Sequence, residues 1–447
     1  MYFLYSVFTA IGLLLLAPYF LVRGLRRGKN LRNLPERLGL RFPPELARAD
    51  AHSPGAVWLH AVSVGEVLAA LPLARSLKER FPERRLVVST TTETGQALAR
   101  ERMKCADAVF YFPLDLPGAM RRTLRAVRPG LIVVMETEIW PNFLRAAREF
   151  GAPVAYVNGR ISDRSFRNFG WAVPSFRRRV FQDASLYLMQ SEEDAKRAVA
   201  LDAPPERVVA AGNLKYDLSP ASGNALVAWL EMELERSGRG PLLIAGSVVA
   251  GEEQAVLEAL ALVAAKWPGT LLLLAPRRPE RFEDVSGAIE HAGWQVIRRS
   301  ALSLDDGASA GVLKGAPGRR RSVLLLDTLG ELAALYRLAD GVFVGGSLVP
   351  AGGHNPLEPA AFGKAPVFGP SMENFRDIAA DFLRAGAAVE ARSGAELGAA
   401  WIAMLENNER RAEMGGAARA LVERQRGATA ATLEHLAGLL EVPQAVR

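Results

Sequence analysis

A single cysteine, Cys105, stands in 447 residues, so no disulfide can close within the chain. With that one thiol and five scattered histidines there is no material for a Cys-rich metal site, and metal independence is the simpler expectation. Several signatures are missing too. There is no G-x-x-x-x-G-K-[ST] to cradle a triphosphate, no G-x-G-x-x-G after the first strand, no D-x-D for a metal-bound sugar nucleotide and no G-x-S-x-G nucleophile elbow. ATPase, simple dehydrogenase, metal-dependent transferase and serine hydrolase chemistries recede accordingly. Charge is also absent from the start of the chain: Tyr2 to Val22 carries none.

What is present has an ordinary globular balance, 49% apolar and 23% charged, which argues against wholesale disorder and against a polytopic membrane protein. The uncharged opening segment, at about 1.5 Å per residue, reaches roughly 31 Å, enough to cross a bilayer's hydrocarbon layer. A membrane anchor over 1–22 is therefore expected. A cleaved signal peptide competes, but the basic n-region and small-residue cleavage site are missing. Pro18 bends a helix near its end, which leaves spanning and in-plane attachment both open.

Arg23, Arg26, Arg27, Lys29, Arg32, Arg37, Arg41 and Arg48 then crowd a juxtamembrane segment, 23–50, suited to anionic headgroups or to setting topology. By the positive-inside rule everything after the anchor is expected in the cytoplasm. The net charge of +7 favours phosphates or a lipid surface as partners, and no nucleic-acid partner is expected.

Short apolar runs at Ala56–Leu59, Leu86–Ser89, Val109–Phe112, Leu131–Met135, Val154–Val157 and Leu186–Met189 alternate with helical stretches and read as buried parallel strands. A second series runs through Leu242–Ala245, Leu271–Ala275, Gln295–Ile297, Val323–Asp327, Gly341–Val344 and Pro366–Phe368. The expected fold is α/β: two doubly wound Rossmann-like domains, 51–211 and 225–447, joined by a Gly/Ser/Asn/Pro-rich linker, 212–224, with the functional site in a cleft faced by the carboxyl ends of both sheets. Ser300 to Arg321 reads as an inserted surface loop.

Candidate chemistry sits where strands end. In His60-Ala-Val-Ser-Val-Gly-Glu66, Gly65 allows close approach and Glu66 falls in a first helical turn, where the partial positive charge favours an ionised carboxylate suited to general-base work, or simple capping. Thr90-Thr-Thr-Glu-Thr-Gly95 offers hydroxyls to an anion or caps a helix. In Met135-Glu-Thr-Glu-Ile-Trp-Pro-Asn142, Glu136 and Glu138 orient a cation or sugar hydroxyl, or pair with Arg160 or Arg164. Ala275-Pro-Arg-Arg-Pro-Glu-Arg281 presents guanidinium and backbone N–H groups to a phosphate, or forms surface salt bridges. Asp327-Thr-Leu-Gly-Glu331 and the Gly-rich stretch Gly345 to Glu358 suggest a nucleotide, with Glu358 placed for a ribose.

Together with PLDLPG, NGRISDRS, GNLKYD, APRRPERF, DTLGELAALY and VGGSLVPAGGHNPLEPAAFG, these motifs make the chain resemble, over nearly its whole length, the bacterial 3-deoxy-D-manno-octulosonic acid (Kdo) transferases of lipid A and lipopolysaccharide biosynthesis. The resemblance implies a GT-B glycosyltransferase fold and an enzyme of the inner membrane with cytoplasmic catalytic domains. It implies inverting transfer of Kdo from CMP-Kdo to lipid A precursor (lipid IVA), releasing CMP, with no cofactor and no metal. It further implies Glu66 as base, Glu136 and Lys215 as supporting catalytic residues, and donor contacts from Pro276, Arg277, Leu329, Gly330, Glu331, Asn355, Pro356, Leu357 and Glu358. Ser63, Gly65 and Arg160 are expected on the acceptor side. Where the family has a GSTHxGEE-like stretch, this chain reads Gly246-Ser-Val-Val-Ala-Gly-Glu-Glu253, which puts local donor or Kdo contacts at Val248 and Val249 in question. A sugar-nucleotide epimerase of the same layout, and a membrane-tethered nucleotide-binding scaffold, are the alternatives.

Overall fold

The computed structural model of the chain describes residues 1–27, 33–46, 54–170, 173–217, 224–304, 311–314 and 321–441. Lys29, Arg32 and Arg48 of the basic segment, 218–223 of the linker and 305–310 and 315–320 of the Ser300–Arg321 loop lie outside the described residues. The chain divides into two compact units, Met1–Asp217 with Gln425–Arg447, and Leu218–Arg424.

Unit 1 is built on seven parallel strands: β1 (Ala56–His60), β2 (Leu86–Thr90), β3 (Ala108–Tyr111), β4 (Pro129–Met135), β5 (Val154–Gly159), β6 (Leu186–Met189) and β7 (Val208–Ala210). Their order across the sheet is 3-2-1-4-5-6-7. The near-continuous apolar runs of β1 and β4 are buried along their whole length, as strands covered on both faces must be. The chain winds outward from β1 to β3, then returns to β4 beside β1 and winds the other way. The reversal opens a crevice at the carboxyl ends of β1 and β4, where ligands of doubly wound sheets bind.

Helices α1 (Tyr2–Arg27), α2 (Leu34–Arg37), α3 (Val64–Arg80), α4 (Glu93–Arg102), α5 (Pro117–Val127) and α6 (Pro141–Phe150) surround this part of the sheet. One face carries an aromatic core, with Trp58 packed edge-on to Phe143 at 5.6 Å and tilted against Phe110 at 5.5 Å. The other buries Leu59, Val133 and Leu73 together with Leu436 and Leu440 of the last helix, Ala428–Glu441. That helix follows unit 2 in sequence yet completes unit 1, so the second domain, expected to run to residue 447, closes at Arg424.

In α1, whose side chains are described as far as Leu16, one face is tied to unit 1. The Tyr2 hydroxyl donates to Asp183, the Tyr5 hydroxyl to Asp115 at 2.9 Å, and the Ser6 hydroxyl to Asn142 at 2.8 Å. The opposite face leaves Phe3, Phe8, Leu14 and Leu15 about three-quarters exposed. Among the described residues, no helix is long and apolar enough to cross a membrane. Not all of the basic segment faces outward either. Arg37 lies over the Tyr111 ring at 4.9 Å and donates to the Thr91 carbonyl, while its neighbour Glu36 accepts from the Tyr111 N–H at 2.6 Å.

Unit 2 repeats the plan. Strands β8 (Leu242–Val248), β9 (Leu271–Pro276), β10 (Gln295–Arg298), β11 (Ser322–Leu325), β12 (Gly341–Val344), β13 (Pro366–Phe368) and β14 (Val389–Glu390) lie parallel in the order 10-11-9-8-12-13-14. Its reversal falls between β8 and β12, so the crevice here is flanked by the segments after Val248 and after Val344.

Candidate active site

In unit 1, β1 delivers the chain to Ser63, the N-cap of α3, and Glu66 follows in the first turn. The carboxylate folds back on its own turn: Oε2 accepts the Val62 N–H at 2.7 Å and Oε1 accepts the Ser63 hydroxyl at 3.1 Å. Glu66 is only 7% exposed, and burial, with the nearby Glu136 charge adding to it, pushes its carboxyl up to about 8. The helix terminus was expected to favour the ionised form. Desolvation and a neighbouring carboxylate outweigh that field here. A Cβ added to Gly65 would meet nothing within 4 Å, so the turn carrying Glu66 faces open space on that side.

The Thr90–Gly95 motif supports this turn. Thr92 caps α4 by accepting the Gly95 N–H at 3.1 Å, and the N–H groups of Thr91 and Thr92 both donate to the Val62 carbonyl. A side chain at Gly95 would strike the Thr92 hydroxyl at 2.8 Å and press on Ser63 and Val62. His60 is structural as well: fully buried, stacked on Phe112 at 3.9 Å, bonded through Nδ1 to Ser89, and held neutral because burial lowers it to about 3.

From β4 comes Glu136, in a left-handed backbone conformation at φ 56°, with its N–H on the Val157 carbonyl at 2.8 Å. Lys215 Nζ stands 3.4 Å from Glu136 Oε1. Burial, followed by the Glu136 charge, raises the Glu138 carboxyl also. Arg160 braces the loop through its backbone: its N–H donates to the Thr137 hydroxyl at 2.9 Å and its carbonyl accepts from that hydroxyl. Three carboxylates and one ammonium thus converge at the β1/β4 crevice.

Residues that were not singled out in the sequence build the seat of Lys215. The Asn158 side-chain oxygen accepts the Leu214 N–H at 2.9 Å, Gln190 donates to the Asn158 carbonyl, and Asn213 accepts the Lys215 N–H at 3.0 Å. Asn158 is the Asn of NGRISDRS and Asn213 that of GNLKYD, so the motifs were visible but their shared task was not. Among the described residues, no group of three or more His, Cys, Asp or Glu is arranged to hold a metal ion.

In unit 2 the Gly345–Glu358 segment crosses the β8/β12 crevice. Fully buried Glu252 organises it: one carboxylate oxygen accepts the N–H groups of Val249 and Gly346, the other those of Ser347 and Leu348, all within 3.0 Å. Asn355 accepts the Leu357 N–H at 3.0 Å and reaches Glu358 at 3.4 Å. Burial raises the Glu358 carboxyl, while Asn355 and then Arg277 pull it down. Burial, with the Arg277 charge adding to it, lowers His354 to about 4.

The Arg277 charge thus acts on both His354 and Glu358, and Pro356 and Leu357 are buried. Gly330, with φ 87°, and Leu329, 73% exposed, form a surface turn before Glu331, whose carboxylate is taken by Arg299 at 2.9 Å. Of the two departures from the family stretch, Val248 is buried in the core of unit 2 and only Val249 is partly exposed.

The profile of the family described as "3-Deoxy-D-manno-octulosonic-acid transferase (kdotransferase)" matches residues 32–218. The chain is 35% identical over 417 residues to the 3-deoxy-D-manno-octulosonic acid transferase of Haemophilus influenzae, covering 92% of each. The chain belongs to the Kdo transferase family. It is thus a glycosyltransferase, and the Kdo transferase of Bordetella pertussis is similarly related, 36% identical over 89% of this chain and 90% of that one. Among solved structures, the UDP-GlcNAc 2-epimerase from Neisseria meningitidis bound to UDP-GlcNAc superposes over 86% of this Kdo transferase chain and 99% of its own at 12% identity and a TM-score of 0.52, a likeness of fold alone.

Proposed function

We propose that the chain transfers Kdo from CMP-Kdo to the lipid A precursor lipid IVA, with inversion, release of CMP and no metal. The observation that carries the reading is the Glu66 carboxyl, buried at the β1/β4 crevice beside the open side of Gly65 and raised to about 8. A general base is most effective when its affinity for the proton is close to the working pH. In this reading Glu66 takes the proton from an acceptor sugar hydroxyl as the oxygen attacks the anomeric carbon of Kdo, and the bond to the CMP phosphate breaks. Lys215 balances Glu136, and Ser63, Gly65 and Arg160 lie on the acceptor side. The donor nucleotide takes the unit 2 turn, with Arg277 toward phosphate and Glu358 toward the ribose hydroxyls, alongside Pro276, Leu329, Gly330, Glu331, Asn355, Pro356 and Leu357.

Attachment to the bacterial inner membrane belongs to the same reading, with the catalytic units on the cytoplasmic side. The apolar face of α1 supports it, and because the opposite face is hydrogen-bonded to unit 1, the bilayer would receive the helix on its Phe3–Phe8–Leu15 side. The test is incubation of the purified protein with CMP-Kdo and tetraacylated lipid A precursor, followed by mass spectrometry of the lipid. One or more Kdo additions that disappear in Glu66→Ala, with folding shown by circular dichroism, support the proposal. Normal transfer by that variant overturns the role of Glu66.

A further inference from the structure

We infer that the first two turns of α1 are a positioning element for the Glu136–Trp140 loop, acting through Asp115, and are not solely an attachment device. Helix α6 begins immediately after that loop, and its N-cap residue, Trp140, supplies no side-chain hydrogen bond to the first turn. The unpaired N–H groups that every helix start exposes must find acceptors elsewhere. Here they find Asp115, from the segment between β3 and α5: Oδ1 accepts the Phe143 N–H at 2.8 Å and Oδ2 the Asn142 N–H at 3.2 Å.

Asp115 is itself 5% exposed and carries a third donor, the Tyr5 hydroxyl of α1. The Asn142 side chain doubles the link, donating to the Asp115 carbonyl at 2.7 Å and accepting the Ser6 hydroxyl at 2.8 Å. The loop holding Glu136 and Glu138 is therefore fixed at one end by Glu136 N–H on β5 and at the other by a cap shared with α1. A buried carboxylate that loses a donor becomes a poorer cap, so α1 contributes to where Glu136 stands relative to Glu66.

This rests on the reading of Glu66 as the base and Glu136 as a supporting catalytic residue, and the test separates that reading from the inference. The full chain is studied in detergent micelles, where membrane attachment does not limit access, as wild type, Tyr5→Phe and Ser6→Ala. Amide hydrogen exchange at Asn142 and Phe143 is expected to accelerate in Tyr5→Phe while that of β4 stays unchanged. Its kcat for Kdo transfer is expected to fall about fivefold, the equivalent of one hydrogen bond, with the KM for CMP-Kdo unaltered. Ser6→Ala gives a smaller shift of the same kind, and Leu15→Ser, on the exposed face, leaves exchange at both amides as in wild type. Unchanged exchange at Asn142 and Phe143 in Tyr5→Phe, or an effect confined to KM, overturns the inference. Failure of the wild type to transfer Kdo overturns the proposed function instead, and the exchange measurement still reads the coupling.

Discussion

Lys215 stands 3.4 Å from Glu136, and Glu136 is the charge that, after burial, does most to keep Glu66 protonated. The ammonium of one motif thus moderates a carboxylate that sets the proton affinity of another.

The pH dependence follows from that arrangement. In the wild type, kcat/KM is expected to rise with pH along a limb near 8, where Glu66 loses its proton. Glu136→Gln removes a like charge, favours the ionised form and moves the limb to lower pH; Lys215→Met leaves Glu136 uncompensated and moves it higher. Steady-state profiles from pH 5.5 to 9.5 check both signs.

Glu66→Gln is expected to lower kcat by about 10²–10⁴-fold, the usual reach of a general base. It also has a signature in stability. A carboxyl raised to about 8 in the fold and near 4.5 when unfolded holds its proton in the native state across that interval. Wild-type stability therefore falls as pH rises from 4.5 to 8, whereas the amide does not titrate. The variant should become the more stable form toward pH 8, by on the order of a few kcal/mol. Thermal unfolding of both proteins at pH 5 and pH 8 measures the difference, and an equal gap at the two values contradicts the buried, protonated carboxyl.

Glu252→Gln places an amide nitrogen against backbone donors that a carboxylate oxygen now accepts. Leaving such groups unmatched costs about 1–3 kcal/mol each, so a loss on the order of 3 kcal/mol is expected. Calorimetric titration with CMP should show weakened binding because the Gly345–Leu348 turn is no longer held. Unaltered melting and CMP affinity would remove Glu252 from its organising role.

Phe8→Ser with Leu15→Ser takes two exposed apolar groups from α1 without touching Tyr2, Tyr5 or Ser6. Flotation with anionic phospholipid vesicles should recover less of the double variant than of the wild type. Equal recovery would point attachment away from this face.

Much of this protein is legible in its sequence. The apolar runs from Ala56, Leu131, Leu242 and Gly341 are strands where expected, because parallel strands covered on both faces leave an unbroken apolar record. The three-residue β7 and two-residue β14 went unseen, since neither is long enough to write a period. His60, Glu66 and Thr92 were all visible as strand-end residues, but nothing local separated the buried stacking partner and the cap from the carboxylate proposed as base. The sign of the Glu66 shift was equally hidden, for it depends first on burial in the assembled crevice and then on Glu136, 70 positions away.

Local pattern alone determined the two doubly wound units, the strand-end location of Glu66, Glu136 and the Gly345–Glu358 turn, and the family, because periodicity and contiguous motifs are properties of neighbouring residues. Only the tertiary structure decided that Lys215 meets Glu136, that Glu252 gathers four backbone N–H groups, that Ala428–Glu441 returns to the first unit and that Asp115 joins α1 to α6. Those are contacts between segments distant in the chain, and their energy comes from burial and geometry that exist only once the sheet is assembled.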